Sequence, residues 1–174
     1  MNESHPACWP EERLLAQCKW TFSRASGPGG QNRNKVETSV QVEFLPANII
    51  ASASERRTQN ENRKVAILRL RCMLAVQLRV PVEASGQFRE PNGSETWRLY
   101  CRNGRVDISD TNTDWPAILA EVMETLSSCD WNVSEVAIRL GTSSSQLVKL
   151  LKKHAPAFIH FNHERQSRGQ RPFA

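Results

Sequence analysis

The chain has 174 residues, enough for one ordinary domain or two small ones, with 39% hydrophobic residues and a formal net charge of +5. A packed interior is therefore possible, wholesale disorder is not expected, and no run approaches the roughly 20 apolar residues that span a bilayer. The charge is unevenly placed: residues 1–80 hold twelve Lys/Arg against seven Asp/Glu, residues 81–144 five against ten, and residues 145–174 six against one. Two basic ends flank an acidic middle, so nucleic acid is a natural partner through counterion release, although such charge can also serve solubility alone. Met1 to Pro10 has no basic start followed by an apolar stretch, so no secretory signal is expected and the cytoplasm is the default compartment. Cys8, Cys18, Cys72, Cys101 and Cys129 show no CxxC spacing, and the four histidines do not complete a zinc site. Reduced thiols, no metal and no cofactor are expected.

In chain order, residues 18–24 alternate as a half-buried strand, with Cys18, Trp20 and Phe22 on one face. Residues 25–34 carry three glycines and a proline and form a loop. Val40, Val42 and Phe44 alternate with Ser39, Gln41 and Glu43 in a second strand; Pro46 and Asn48 make a turn, and Ile49 to Ala53 form a third. Thr58 to about Val80 reads as a helix, its apolar side built by Val65, Ile67, Leu68, Leu70, Met73, Leu74 and Leu78, and Pro81 stops it. Residues 83–96 are polar and turn-rich, a linker or exposed loop. Trp97 to Cys101 and Arg105 to Ser109 flank Asn103-Gly104, a hairpin signal. Asp114 is placed to cap a helix that runs to about Ser127, with Pro116 in its first turn. Shorter helices follow at about 133–140 and 144–153.

The loop holds the chemistry. In Gly29-Gly30-Gln31 the glycines permit backbone angles closed to other residues and leave no side chain in the way. Gln31 supplies an amide side chain and a backbone N–H, both able to hold water or a developing oxyanion. Neither group titrates near neutral pH, and no Ser/His/Asp set or paired carboxylates lie nearby in sequence. Such a loop works by positioning and hydrogen bonding; the tripeptide alone is equally consistent with a tight turn between strands.

The surrounding residues decide more. Arg24-Ala-Ser-Gly-Pro-Gly-Gly-Gln-Asn-Arg-Asn-Lys35 resembles the signature loop of class I peptide chain release factors and of the stand-alone GGQ rescue hydrolases. The likeness continues through Ser39-Val40, Leu45-Pro46 and Glu55-Arg-Arg-Thr-Gln-Asn-Glu-Asn-Arg63, and spans about residues 14–80. It implies a small α/β unit that enters the peptidyl transferase centre of the large ribosomal subunit. There Gln31 would place a water against the ester joining peptide to tRNA, with Gly29 and Gly30 permitting the pose. Arg24, Arg33, Lys35, Arg56, Arg57 and Arg63 become candidates for ribosomal RNA phosphates, or form a solvated basic face. Gln31 is also where this family can carry N-methylation. Two places depart from the pattern: Arg33 stands where an apolar residue is usual, and Ala47-Asn48 replaces a common Thr-Gly turn.

About 15 residues precede the matched stretch, without a codon-reading tripeptide, so codon-independent release from stalled ribosomes is the expectation. The partners would be large-subunit ribosomal RNA and P-site peptidyl-tRNA, with no membrane and a monomeric chain. The second half adds Val133 to Leu150, which resembles a helix-turn-helix: Ala137 lies four before Gly141, and Leu147 and Leu150 follow at helical spacing. Ser143, Ser144, Ser145, Gln146 and Lys149 would face outward, and Lys149, Lys152, Lys153, Arg165, Arg168 and Arg171 are RNA-binding candidates. A plain helical hairpin is the simpler alternative. His154, His160 and His163 are expected to be surface or stacking residues.

The fold class is thus α+β: a hydrolytic domain over 12–80, with a three-stranded sheet and a long helix, then a hairpin and helix-turn-helix-like RNA-binding module over 96–174. Two other functions stay open: an RNA-binding factor that keeps the fold without hydrolysis, and a DNA-binding regulator built on the helix-turn-helix.

Overall fold

A computed structural model describes residues 5–24, 37–80 and 92–174. The expectations for the Gly-Gly-Gln tip, for Arg33 and Lys35, and for Pro81 as a helix stop lie outside these residues. The fold is mixed α and β and divides into two compact units: Trp9–Leu74, and the described residues up to Cys8 together with those from Ala75 onward. The division falls inside one helix.

The Trp9–Leu74 unit is built on an antiparallel sheet of β1 (Cys18–Ser23), β2 (Ser39–Phe44) and β3 (Ile49–Ala53), in that order. β1 and β2 were legible as alternation, and β3 as the short run after the turn at Pro46 and Asn48. Cys18, Trp20 and Phe22 face Phe44, Val42 and Val40 across the first pair, and Ile49, Ala51 and Ala53 continue the row. Directly opposed residues share a face, so this row is the core side; its β2 and β3 members are all buried. The β2–β3 connection turns at Asn48, whose φ of 53° is the left-handed conformation that asparagine tolerates better than most residues. The long helix α2 runs over Gln59–Gln77, shorter at both ends than the expected span, and buries Asn62, Ala66, Ile67, Leu70 and Leu74. A short helix α1, Glu11–Leu15, was not anticipated. One turn is too brief to show a period, but Glu11 and Glu12 suit the positive end of a helix, and Leu14 is fully buried.

In the second unit, α2 ends at Gln77. The Arg79 guanidinium folds back and donates to the carbonyls of Ala75, Val76 and Leu78, which satisfies acceptors that a helix end leaves orphaned. The expected strand at Trp97–Cys101 is instead mostly helix: α3 covers Glu95–Tyr100, and only Cys101–Arg102 (β4) and Arg105–Val106 (β5) pair around the Asn103-Gly104 turn. The cause is a strong helix start. Ser94 accepts from the Trp97 N–H, and Glu121 accepts from both the Ser94 N–H and hydroxyl at 2.6 Å. Trp97 is wholly buried, and its indole N–H donates to the Leu140 carbonyl. Residues 92–94, assigned to a linker, are therefore structural.

Helix α4 (Trp115–Ser128) is buried along most of its length. Asp114 does not cap it; its carboxylate accepts from the Tyr100 hydroxyl at 2.8 Å. Helices α5 (Val133–Arg139) and α6 (Ser144–Lys152) match the expected pair. Between them, Gly141 (φ 63°) closes the end of α5, with Gly141 N–H donating to Ile138 and Thr142 N–H to Ala137, the paired bonds of a left-handed helix stop. Helix α7 (Ala155–Ser167) was missed. Its start is marked by His154, whose ring accepts from the Ala157 N–H, and by Pro156 in the first turn. Only Ala157 and Phe161 are buried along it, too sparse a pattern for a visible apolar stripe.

Two predictions follow from this second unit. Gly93 has φ +78°, and a Cβ there would lie 2.5 Å from Trp97 Cδ1. Gly93→Ala should lower the unfolding free energy by about 2–3 kcal/mol, measured by urea denaturation. His5 is fully enclosed beside Glu124, with its Nε2 3.7 Å from Glu124 Oε1. Burial first, with the Arg79 charge adding to it and the Leu78 carbonyl opposing, lowers its pKa to about 4. The unfolded chain takes up this proton near pH 6.5 and the folded protein only near pH 4. The His5 contribution is thus complete above pH 6.5 and is lost as pH falls towards 4, by about 3 kcal/mol in all. Burial raises the Glu124 pKa, which acts in the opposite sense and favours the fold at lower pH. His5→Asn keeps an acceptor for the Ala7 N–H and should flatten the fall between pH 6.5 and 4 relative to the parent chain, read from denaturation midpoints across that range.

Candidate functional site

Strands β1 and β2 hold the roots of the Gly-Gly-Gln loop, with Ser23 paired to Ser39 at the last register position. The loop's exit is fastened to the start of α2. The Asn62 side chain, fully buried, donates to the carbonyls of Thr38 (2.7 Å) and Arg56 (3.1 Å) and accepts from the Arg56 N–H (2.9 Å). Gln59 adds a bond to the Glu37 carbonyl at 3.0 Å. Thr58 and Glu61 close a reciprocal cap: the Glu61 N–H donates to the Thr58 hydroxyl, and the Thr58 N–H and hydroxyl both donate to Glu61, a capping box. The Thr58 hydroxyl, then its N–H, hold the Glu61 carboxyl below its ordinary pKa. Sequence reasoning passed over Asn62 and this cap, although Thr-x-x-Glu was a readable signal.

On the way into the loop, Trp20 and Phe22 stack with parallel rings 6.2 Å apart, and the Arg63 guanidinium lies 4.7 Å over Trp20. Phe22 is 42% exposed, although its row is the core row. Arg63 is therefore a stacked cation. Arg24, Arg56 and Arg57 are exposed. Arg69 is engaged, chelating Glu55 at 2.7 Å and donating to the Ser52 carbonyl. Against the cost of burial, backbone N–H groups and this guanidinium keep the Glu55 carboxyl below its ordinary pKa.

The candidates of the second unit separate into two groups. Lys149 and Lys152 are exposed on α6, Lys152 with its ammonium 5.5 Å from the Phe158 ring. Lys153 is tied down, donating to the Ile108 carbonyl at 2.5 Å. Arg165 donates to the carbonyls of Trp131 and Arg171, and Arg168 bridges Asp130 and Glu164 at 2.7 Å each. Arg171 is exposed, but the segment carrying it is docked: Asn162 exchanges two hydrogen bonds with the Phe173 backbone, and Phe173 stacks on Phe161. Of the residues expected to face outward on α6, Ser143 caps the helix and Gln146 accepts from the Val106 N–H. His160 packs edge-on against Trp131, while His163 is largely exposed. Among the described residues, no cluster of three or more His, Cys, Asp or Glu could hold a metal, and no helix is long and apolar enough to cross a membrane.

A sequence model of the RF-1 domain family matches residues 15–111, more than half of the chain. The chain belongs to this family, that of the class I peptide chain release factors. Among its relatives, the chloroplastic peptide chain release factor PrfB1 of Arabidopsis thaliana is 43% identical over 67 residues, 38% of this chain and 14% of that protein. Peptide chain release factor 1 of a Nocardioides species is 37% identical over 100 residues, 54% of this chain and 28% of its own. That of Acidiphilium cryptum is 43% identical over 61 residues, 35% and 17%. The RF-1 domain chain thus spans less than a third of the length of these relatives.

Asn62→Ala would leave the Arg56 N–H and two carbonyls without their partner and should cost the Trp9–Leu74 unit about 2–3 kcal/mol. Asn62→Asp keeps the acceptor but sets a carboxylate against two carbonyls, and should cost at least as much. Urea denaturation measures both, and hydrogen exchange at the Arg56 amide should quicken in the alanine variant.

Proposed function

We propose that this protein hydrolyses the ester of peptidyl-tRNA on the ribosome, acting in the cytoplasm as a codon-independent release factor. The observation that carries the reading is the Gly29-Gly30-Gln31 loop sequence, set between two paired strands and fastened at its exit by Asn62. In this reading the loop enters the peptidyl transferase centre. Water adds to the ester carbonyl carbon, the bond to the ribose oxygen breaks, that oxygen leaves with a proton, and the peptide departs as its carboxylic acid. Gln31 orients the water, and its backbone N–H stabilises the developing negative charge. No group in the loop exchanges protons near neutral pH, so the rate rests on placement. Arg24, Arg33, Lys35, Arg56 and Arg57 supply phosphate contacts in the first unit, and the exposed face of α6 supplies them in the second.

The test is peptide release from purified stalled ribosome–nascent-chain complexes, with and without a stop codon in the A site. Release should be rapid in both and should fall by roughly 10²–10³ in Gln31→Ala, the scale of losing an oxyanion donor. Release no faster than buffer, with ribosome binding retained, would leave a non-catalytic RNA-binding factor; release only at a stop codon would remove codon independence.

A further inference from the structure

The hairpin and the second helix of the helix-turn-helix enclose an open groove of about 540 Å³, lined by Asn103, Arg105, Thr142, Ser143, Gln146 and Lys149 with two glycines, and by no carboxylate. Arg105 stands directly opposite Arg102 in the β4–β5 pair. Like charges placed opposite each other in an antiparallel pair repel and work against the hairpin. Neither arginine, nor Lys149, joins any ion pair among the described residues. Asp107 does not line the groove; it borders an adjoining recess together with Arg105, Lys149 and Lys153, and forms no ion pair with any of them. The hairpin is nonetheless fixed to α6 and the turn before it: the Thr142 hydroxyl donates to the Gly104 carbonyl at 2.7 Å and the Val106 N–H to Gln146 at 3.4 Å, while just beyond them the Lys153 ammonium donates to the Ile108 carbonyl. Arg105 and Lys149 thus line a polar groove, Arg102 stands opposite Arg105 in the hairpin beside it, and none of the three is in an ion pair among the described residues.

We propose that this groove binds the phosphate backbone of RNA, with Arg102, Arg105 and Lys149 as the contacting cations. An anion between the strands and α6 would relieve the repulsion that the free protein carries. The polar lining offers no apolar anchor for a protein side chain, and a repeating anionic backbone suits cations spread over two elements. The choice of RNA rests on the reading of the chain as a ribosome-acting factor. Arg102 and Arg105 were absent from the sequence-based candidates, because their opposition becomes visible only in the register of the short hairpin.

The test uses the full chain and a fluorescein-labelled RNA stem-loop, with binding followed by anisotropy over a potassium chloride series. Removing both charges in Arg102→Ser/Arg105→Ser should weaken binding roughly tenfold or more near physiological salt. It should also reduce the slope of log affinity against log salt by about two. Lys149→Ser, on a different element, should reduce the slope by about one. Arg139→Ser, whose arginine is paired with Glu135 on α5, should change neither. The thermal midpoint of the double variant should hold or rise, since repulsion is removed; a purely structural role would lower it. Unchanged affinity and slope in the double variant and in Lys149→Ser would overturn the proposal, as would tighter binding of duplex DNA of the same sequence. Because no ester is present, a failure of the hydrolysis reading leaves this result untouched.

Discussion

In the Trp9–Leu74 unit, the carboxamide of Asn62 is sealed from solvent and uses both of its ends, donating twice and accepting once. The three groups it serves belong to two separate stretches of backbone, one leaving the Gly-Gly-Gln loop and one entering α2. A buried polar group left without partners costs far more than a satisfied one contributes, so the arrangement admits one geometry. The Thr58–Glu61 cap then sets where α2 begins. The Gly-Gly-Gln sequence lies in the connection whose exit is fastened in this way, and the proposed catalysis by placement asks for such a base.

The second unit uses a different device. Its helices are closed by side chains and left-handed residues: Arg79 behind α2, Gly141 after α5, and the consecutive pair Asp130–Trp131 after α4, both at positive φ. A buried tryptophan in that conformation is strained by about 1 kcal/mol or more. It persists because Trp131 is held on several sides, with Arg79 and Arg168 near its ring, His160 edge-on, and Arg165 on its carbonyl. Cations that looked available for nucleic acid in the linear sequence are here part of the scaffold.

This explains what could and could not be read in advance. Period-2 alternation with one buried face yields strands directly, and β1 and β2 were legible for that reason, with β3 following from the turn after them; α4 was legible from Pro116 in its first turn, although Asp114 does not cap it, and α5 and α6 from the Ala137–Gly141 spacing and the leucines after it. Trp97-Arg-Leu-Tyr100 looked like a strand because aromatic and branched residues flank an Asn-Gly turn. The deciding contacts, Ser94 to Glu121 and Trp97 to Leu140, are long-range and leave no local trace. The loop motif was recognisable as residues, whereas its supports were not, since a helix-interior asparagine gives no hint of which carbonyls it will meet. The cationic candidates could be listed by type only; whether a guanidinium is free or already bonded depends on partners such as Asp130, Glu164 and the Trp131 carbonyl.

The chain leaves the second unit at Cys8 and re-enters it at Ala75, and the short turn Pro6–Cys8 packs against α4. This connectivity sets an order of events during synthesis. The site that encloses His5 includes Glu124, which is not made until the Trp9–Leu74 stretch and α3 have already been translated. At roughly 5–20 residues per second, the opening segment waits several seconds for its partner, while the sheet and α2 that follow it can fold as soon as they emerge. The first described residues of the polypeptide thus find their place only after α4 has been made, although they are translated before the sheet and α2.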